Sequence, residues 1–94
     1  MGQDSIATVI IDNARTTVTE HRFAPGASTG WHRHERDYVV VPVMDGRLKV
    51  IGPGGAESFA DLKAGQPYFR EAGVEHEVIN DGDGEYAFIE VELK

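Results

Sequence analysis

Gly30-Trp31-His32-Arg33-His34 sets two histidines two residues apart. That spacing brings side chains together in only one kind of backbone. On a strand, residues i and i+2 point to the same face, whereas on a helix they point apart. Read as a strand over Gly30–His34, the stretch presents two imidazoles side by side. Neutral imidazole is the commonest protein ligand for borderline divalent metals. A third imidazole from a distant strand would close a site, and His76, four residues before Asn80, is the candidate. The remaining histidine, His21, fits no such pattern and is expected to lie away from the site.

Working outward, turn-forming residues punctuate the whole chain: Asp12-Asn13, Pro25-Gly26, Asp45-Gly46, Gly52-Pro53-Gly54-Gly55, Lys63-Ala64-Gly65, Ala72-Gly73 and Asp81-Gly82-Asp83-Gly84. Between them lie β-rich runs, predicted as strands at Ala7–Ile11, Thr16–Phe23, Gly30–His34, Tyr38–Met44, Arg47–Ile51, Ser58–Ala60, Pro67–Arg70, His76–Asn80 and Tyr86–Leu93. No segment carries a capped helical period. Many short strands at this spacing predict an all-β fold, a single antiparallel sandwich or barrel domain spanning residues 1–94. Asp45-Gly46 reads as a two-residue hairpin turn that would set Tyr38–Met44 beside Arg47–Ile51. The run Val39–Met44 is apolar at both parities, so one face needs a cover outside the barrel. A second subunit is the simplest cover, which predicts a homodimer. Pro42 cannot donate a ladder hydrogen bond and marks an edge or a bulge.

Composition narrows the function classes. The 94 residues include no cysteine, which excludes disulfides, thiolate metal sites and cysteine nucleophiles and fits a cytoplasmic setting. Sixteen acidic against nine basic residues give a formal charge of −7, with no lysine- or arginine-rich run. Nucleic-acid and anionic-membrane partners are therefore not expected. The residues after Met1 show neither a basic patch nor an apolar signal core, and the longest apolar stretch, Tyr38–Met44, is far too short to cross a bilayer.

Two longer stretches carry a family resemblance. Gly26 through His32-Arg33-His34 to Gly46 resembles the first motif of the cupins, and Gly65 through Glu71-Ala72-Gly73-Val74-Glu75-His76 to Asn80 resembles the second. The wording from Pro25-Gly26 to Tyr38-Val39-Val40-Val41-Pro42 is similar to the small single-domain bacterial cupins, among them one associated with β-alanine degradation. The resemblance implies a jelly-roll β-barrel with a metal inside its mouth, held by His32, His34 and His76. Two positions depart from the family pattern. The glutamate ligand usual three or four residues after the second histidine is replaced by Tyr38 or Val39, and counting back from Gly46 favours Val39. Glu71 stands where proline is usual. Glu35 and Asp37 belong to the connecting turn and are expected to face solvent.

Three neutral ligands leave open positions for water or substrate, and iron(II), nickel(II), zinc(II), manganese(II) and copper(II) all suit them. Such a site should lose its metal below about pH 6, near the reference histidine pKa. Tyr38, Tyr68, Arg70, Phe88 and Glu90 are candidate pocket liners. Arg70 is a candidate for pairing with a substrate carboxylate. Tyr38 is a candidate for orienting substrate or for a weak ligand, though its first reading is an outward aromatic. Trp31 has opposite parity to the histidines and should pack on the other face. Asn80 should fix a strand end. Two function classes remain open at this point: a metal-dependent enzyme acting on a small organic acid or carbonyl compound, and a non-catalytic metal-containing binding or accessory protein.

Overall fold

The computed structural model describes residues 3–94 and contains nine strands. They are β1 (Ile6–Asp12), β2 (Thr16–Phe23), β3 (His32–Arg33), β4 (Tyr38–Pro42), β5 (Gly46–Ile51), β6 (Glu57–Leu62), β7 (Tyr68–Arg70), β8 (Glu75–Asn80) and β9 (Tyr86–Leu93). All nine predicted strands are present, with ends shifted by a few residues. The only helical element among the described residues is a single 3-10 turn at Pro53–Gly55.

The strands form two antiparallel sheets. The larger has the order β1-β2-β9-β4-β7, and the smaller has the order β3-β8-β5-β6. Only β1–β2 and β5–β6 are hairpins within one sheet. Every other connection passes from one sheet to the other, as a jelly roll requires. Between the sheets lie Phe23, Ala27, Tyr38, Val40, Leu48, Leu62, Val78, Tyr86 and Phe88.

The expected hairpin at Asp45-Gly46 does not form. β4 pairs with β7 and β9, whereas β5 pairs with β6 and β8. A tight two-residue turn of the type I′ kind needs positive φ at both central residues, and neither Asp45 nor Gly46 has it. Gly46 is required for closeness instead: a Cβ there would lie 2.2 Å from Cδ1 of Tyr86. Absence of a side chain lets β5 start beneath that buried ring and enter the second sheet. Asp45 accepts a hydrogen bond from the Ala64 amide at 2.9 Å and so ties this crossing to the loop before β7.

Pro42 lies past the end of β7, which reaches only to Val40, so no ladder partner meets its missing N–H, and its carbonyl accepts from the Gly65 amide at 2.9 Å. Asn80 is almost completely enclosed and holds the end of β8. Its Nδ2 donates to the carbonyls of Phe23, Ala24 and Gly84, and its Oδ1 accepts from the Gly82 amide. Trp31 is more than half exposed, and Glu35 and Asp37 face outward.

Register shows how the larger sheet divides its two faces. On the outer face Ile11 lies opposite Val18, Val18 opposite Val91, Val91 opposite Val39, and Val39 opposite Phe69. One apolar row therefore crosses all five strands. Ile11 and Phe69 at its ends are about half exposed. On the inner face one row runs Thr19, Glu90, Val40, Tyr68, and the next runs Thr17, Glu92, Tyr38, Arg70.

Candidate metal centre

Antiparallel pairing of β3 with β8 sets His32 directly opposite His76. His34 lies just past the end of β3, but its backbone continues the pairing. Its amide donates to the Val74 carbonyl at 2.8 Å, and its carbonyl accepts from the Gly73 amide at 2.7 Å. Gly73, at φ 99°, turns the chain so that both bonds close. The i, i+2 parity of His32 and His34 and the facing position of His76 then bring three rings together. Nε2 of His34 lies 3.0 Å from Nε2 of His32 and 3.2 Å from Nε2 of His76.

These distances fit a shared ion. Two nitrogens each about 2.1 Å from one metal are about 3.0 Å apart at a right angle and about 3.4 Å apart at a tetrahedral angle. Nitrogens this close need a shared proton or a positive centre among them, since facing lone pairs repel. Nδ1 of His32 is 3.0 Å from the Gly30 carbonyl. A carbonyl only accepts, so that nitrogen carries the proton and Nε2 is left bare toward the other two rings. The three histidines named from the sequence form a group that could hold a metal ion.

The usual carboxylate is absent from β4. Tyr38 is inward and buried, and Val39 lies on the outer face. The expectation of an outward Tyr38 fails because parity counted from Val40 and Pro42 puts it among the core residues. Its ring stacks on His34 with centroids 3.9 Å apart and planes inclined by 20°. Burial, with Glu90 nearby, pushes its hydroxyl up to about 12, and that hydroxyl has no hydrogen-bond partner among the described residues. Burial also pushes His76 down to about 4, and the neighbouring His32 and His34 add to the effect. His34 is lowered for the same first reason, against the pull of Glu90. His34 and His76 thus stay neutral, and able to bind metal, at a lower pH than free histidine would.

Beside the trio is a cavity of about 220 Å³. Val40, Leu48, Val50, Val78 and Phe88 give it an apolar wall, and Tyr68, Arg70 and Glu90 line it as well. Arg70 shares the inner face with Tyr38, its cross-strand neighbour. The guanidinium lies at the exposed rim, 4.7 Å above the Tyr68 ring.

His21 is a second residue that sequence reasoning placed wrongly. It lines the cavity, stacks on Phe88 with centroids 5.1 Å apart, and has Nε2 3.6 Å from Oε2 of Glu90. That separation suits an ion pair but is too long for a hydrogen bond. The missed signal was parity, because His21 is two residues before the core residue Phe23 on one strand. The other oxygen of Glu90 is 3.9 Å from Nδ1 of His34. Burial raises the Glu90 carboxyl, and the imidazoles of His21, His34 and His32 together hold it below its ordinary range.

Comparison with known proteins agrees with this geometry. Residues 19–92 match the Cupin_2 family, a cupin domain. The chain is 57% identical over 90 residues to the β-alanine degradation protein BauB of Pseudomonas aeruginosa, covering 96% of this chain and 94% of that one. It superposes with a TM-score of 0.96 on the crystal structure of a cupin domain from Bordetella pertussis Tohama I, at 50% identity, covering 100% of this chain and 97% of that one. The polyketide cyclase RemF of Streptomyces resistomycificus shares the fold alone, with a TM-score of 0.73 at 19% identity over 98% of this chain and 68% of that one. The chain belongs to the cupin family.

Proposed function

We propose that the protein holds one divalent transition metal through Nε2 of His32, His34 and His76 and acts there on a small organic acid or carbonyl compound. The observation that carries this reading is the convergence of three ring nitrogens at 3.0 and 3.2 Å beside a cavity. A bound ion would supply Lewis acidity toward a substrate oxygen. The chain's own residues do the rest. Arg70 offers the rim cation that a carboxylate needs in a protein of charge −7. Tyr38 fixes the plane of His34 and walls the cavity beside it. The apolar wall excludes water from the bound ligand. The name of the Pseudomonas relative narrows the substrate class to β-alanine or a small acid formed in its degradation.

A second reading, a metal-containing binding or accessory protein without turnover, is favoured by one observation. The one hydroxyl stacked against the trio among the described residues, that of Tyr38, is enclosed and pushed up to about 12, so it is a poor proton donor at neutral pH. Metal analysis of protein purified without chelators tests the shared part of both readings, with one ion per chain expected in the wild type and almost none in His76→Ala. Calorimetric titration with β-alanine, propionate and pyruvate, followed by assay for consumption of each, then separates them. Binding with consumption supports the enzyme, and binding without it supports the accessory role.

We also propose that two copies join through the outer face of the larger sheet. Two chains that each carry −7 meet with least repulsion on a face that presents little charge. The row from Ile11 to Phe69 is uncharged across all five strands.

A further inference from the structure

We infer that Glu90 is the positioning residue of His34, with His21 holding Glu90 from its other side. The inference rests on the metal-binding reading of the histidine trio and adds residues that the trio itself does not use.

His34 has two ring nitrogens with different surroundings. Nε2 faces His32 and His76, whereas Nδ1 faces Oε1 of Glu90 at 3.9 Å. Tyr38 fixes the plane of this ring by stacking, but stacking leaves rotation within the plane and the choice of tautomer open. At 3.9 Å the contact is too long for a hydrogen bond, but the field of a carboxylate on that side favours the form with the proton on Nδ1, which leaves Nε2 bare. His32 obtains the same selection from the Gly30 carbonyl. The two devices differ in charge. A carbonyl is neutral, whereas a carboxylate behind the ring makes its far nitrogen a stronger donor.

This arrangement accounts for the negative charge missing from β4. Tyr38 and Val39 occupy the usual glutamate slots, and β9 delivers a carboxylate to the back of a ligand instead of the front. Glu92, two residues further along the same face, is not equivalent. It is engaged by Arg36, whose Nε is 3.8 Å from its Oε1. Glu90 has no such cation. Its second oxygen meets His21, whose ring is enclosed and stacked on Phe88, with neither nitrogen hydrogen-bonded among the described residues. His21 therefore has no hydrogen-bonded partner that would draw it away from Glu90.

The test uses cobalt(II) as the probe, with affinity measured by chelator competition and coordination read from the visible bands. Glu90→Gln keeps the size and removes the charge, and it should weaken cobalt binding about 10- to 100-fold while leaving the band pattern intact. Wild-type affinity in Glu90→Gln would overturn the inference. A band pattern showing loss of one ligand would overturn it too, because Glu90 would then be a direct ligand. His21→Phe keeps the stacking on Phe88 and removes Nε2. Its smaller loss should disappear in the Glu90→Gln background, and additive losses would remove His21 from the arrangement. Ring nitrogen-15 shifts of His34 in the metal-free protein give a readout that needs no metal. A protonated Nδ1 in the wild type, giving way to mixed tautomers in Glu90→Gln, is expected, and a protonated Nε2 in the wild type would refute the positioning. Failure of the wild type to bind cobalt would defeat the metal reading alone, and the tautomer measurement would still decide this one.

Discussion

The inner and outer faces of the five-stranded sheet use the same strands for opposite purposes. On the inner face, β9 contributes Glu90 and Glu92, β2 contributes His21, and β4 contributes Tyr38, so ionisable and polar groups point toward the barrel. On the outer face the intervening residues of those strands, Val91, Val18 and Val39, form an apolar row. A solvated antiparallel sheet usually shows the reverse, apolar inside and polar outside. Because side chains alternate with period two, one register serves both faces at once, and a slip of a single residue would exchange them. The contrast teaches that the interior of this barrel is only partly a packing core. The end near the trio carries polar and ionisable groups that could hold a metal ion, and the apolar surface omitted there reappears outside.

The largest effects should come from breaking one face and sparing the other. His76→Ala removes one of three inward imidazoles and should reduce metal from about one ion per chain to almost none, leaving the oligomeric state unchanged. His21→Ala, also inward, should still load fully when metal is in excess. Val39→Lys puts a charge in the middle of the outer row and should weaken dimerisation by about 100-fold or more, as a charge buried without a partner costs about 3–5 kcal/mol, with metal content unchanged. Sedimentation and metal analysis on all four proteins measure both quantities. A wild type that is monomeric at micromolar concentration would remove the functional meaning of the outer row.

A pH titration separates the faces more finely. Burial holds His76 at about 4 in the folded metal-free protein, below its ordinary 6.5. The unfolded chain therefore binds more protons between those values, so stability should be full above about pH 6.5 and fall progressively toward pH 4. Urea unfolding in the presence of chelator should show that slope, and His76→Ala should flatten it. The outer row contains no titratable group and should contribute nothing. The same shift moves acid loss of metal below the value of about 6 expected from free histidine.

Much of this division could be read in the sequence, and the residues show where reading stopped. Local parity was enough for His32 and His34, and turn residues were enough to place each strand to within a few residues. The Asp45-Gly46 crossing was misjudged because it depends on which strand lies across the barrel, whereas Tyr38 and His21 carried an unused parity signal on their own strands, from Val40 and from Phe23. Gly46 looked like a turn residue, yet it is needed because the Tyr86 ring, forty residues away, occupies the space of its missing Cβ. His21 looked unattached because its partner Glu90 lies on the last strand. Sequence spacing records neighbours along the chain, whereas these contacts are set by packing between distant strands.

The smallest expected effect concerns Arg70, which belongs to the inner face but sits at its rim. Register places it beside Tyr38, on the side of the cavity, while its guanidinium remains exposed and leans over Tyr68. An exposed cation interacts with a carboxylate through a screened field, worth about 0.2–1 kcal/mol, and a ligand that displaces water from the rim raises this only modestly. Arg70→Ala should therefore weaken binding of propionate or another small carboxylate by roughly 3- to 10-fold, without changing metal content or dimerisation. Arg70→Lys should recover only part of the loss, since an ammonium restores the charge but not the two-pronged hydrogen bonding. The weakening should shrink as salt is raised, because the rim is open to solvent. Unchanged carboxylate affinity in Arg70→Ala at low salt would assign this arginine to the Tyr68 stack alone and leave the inner face without a recognised anion anchor.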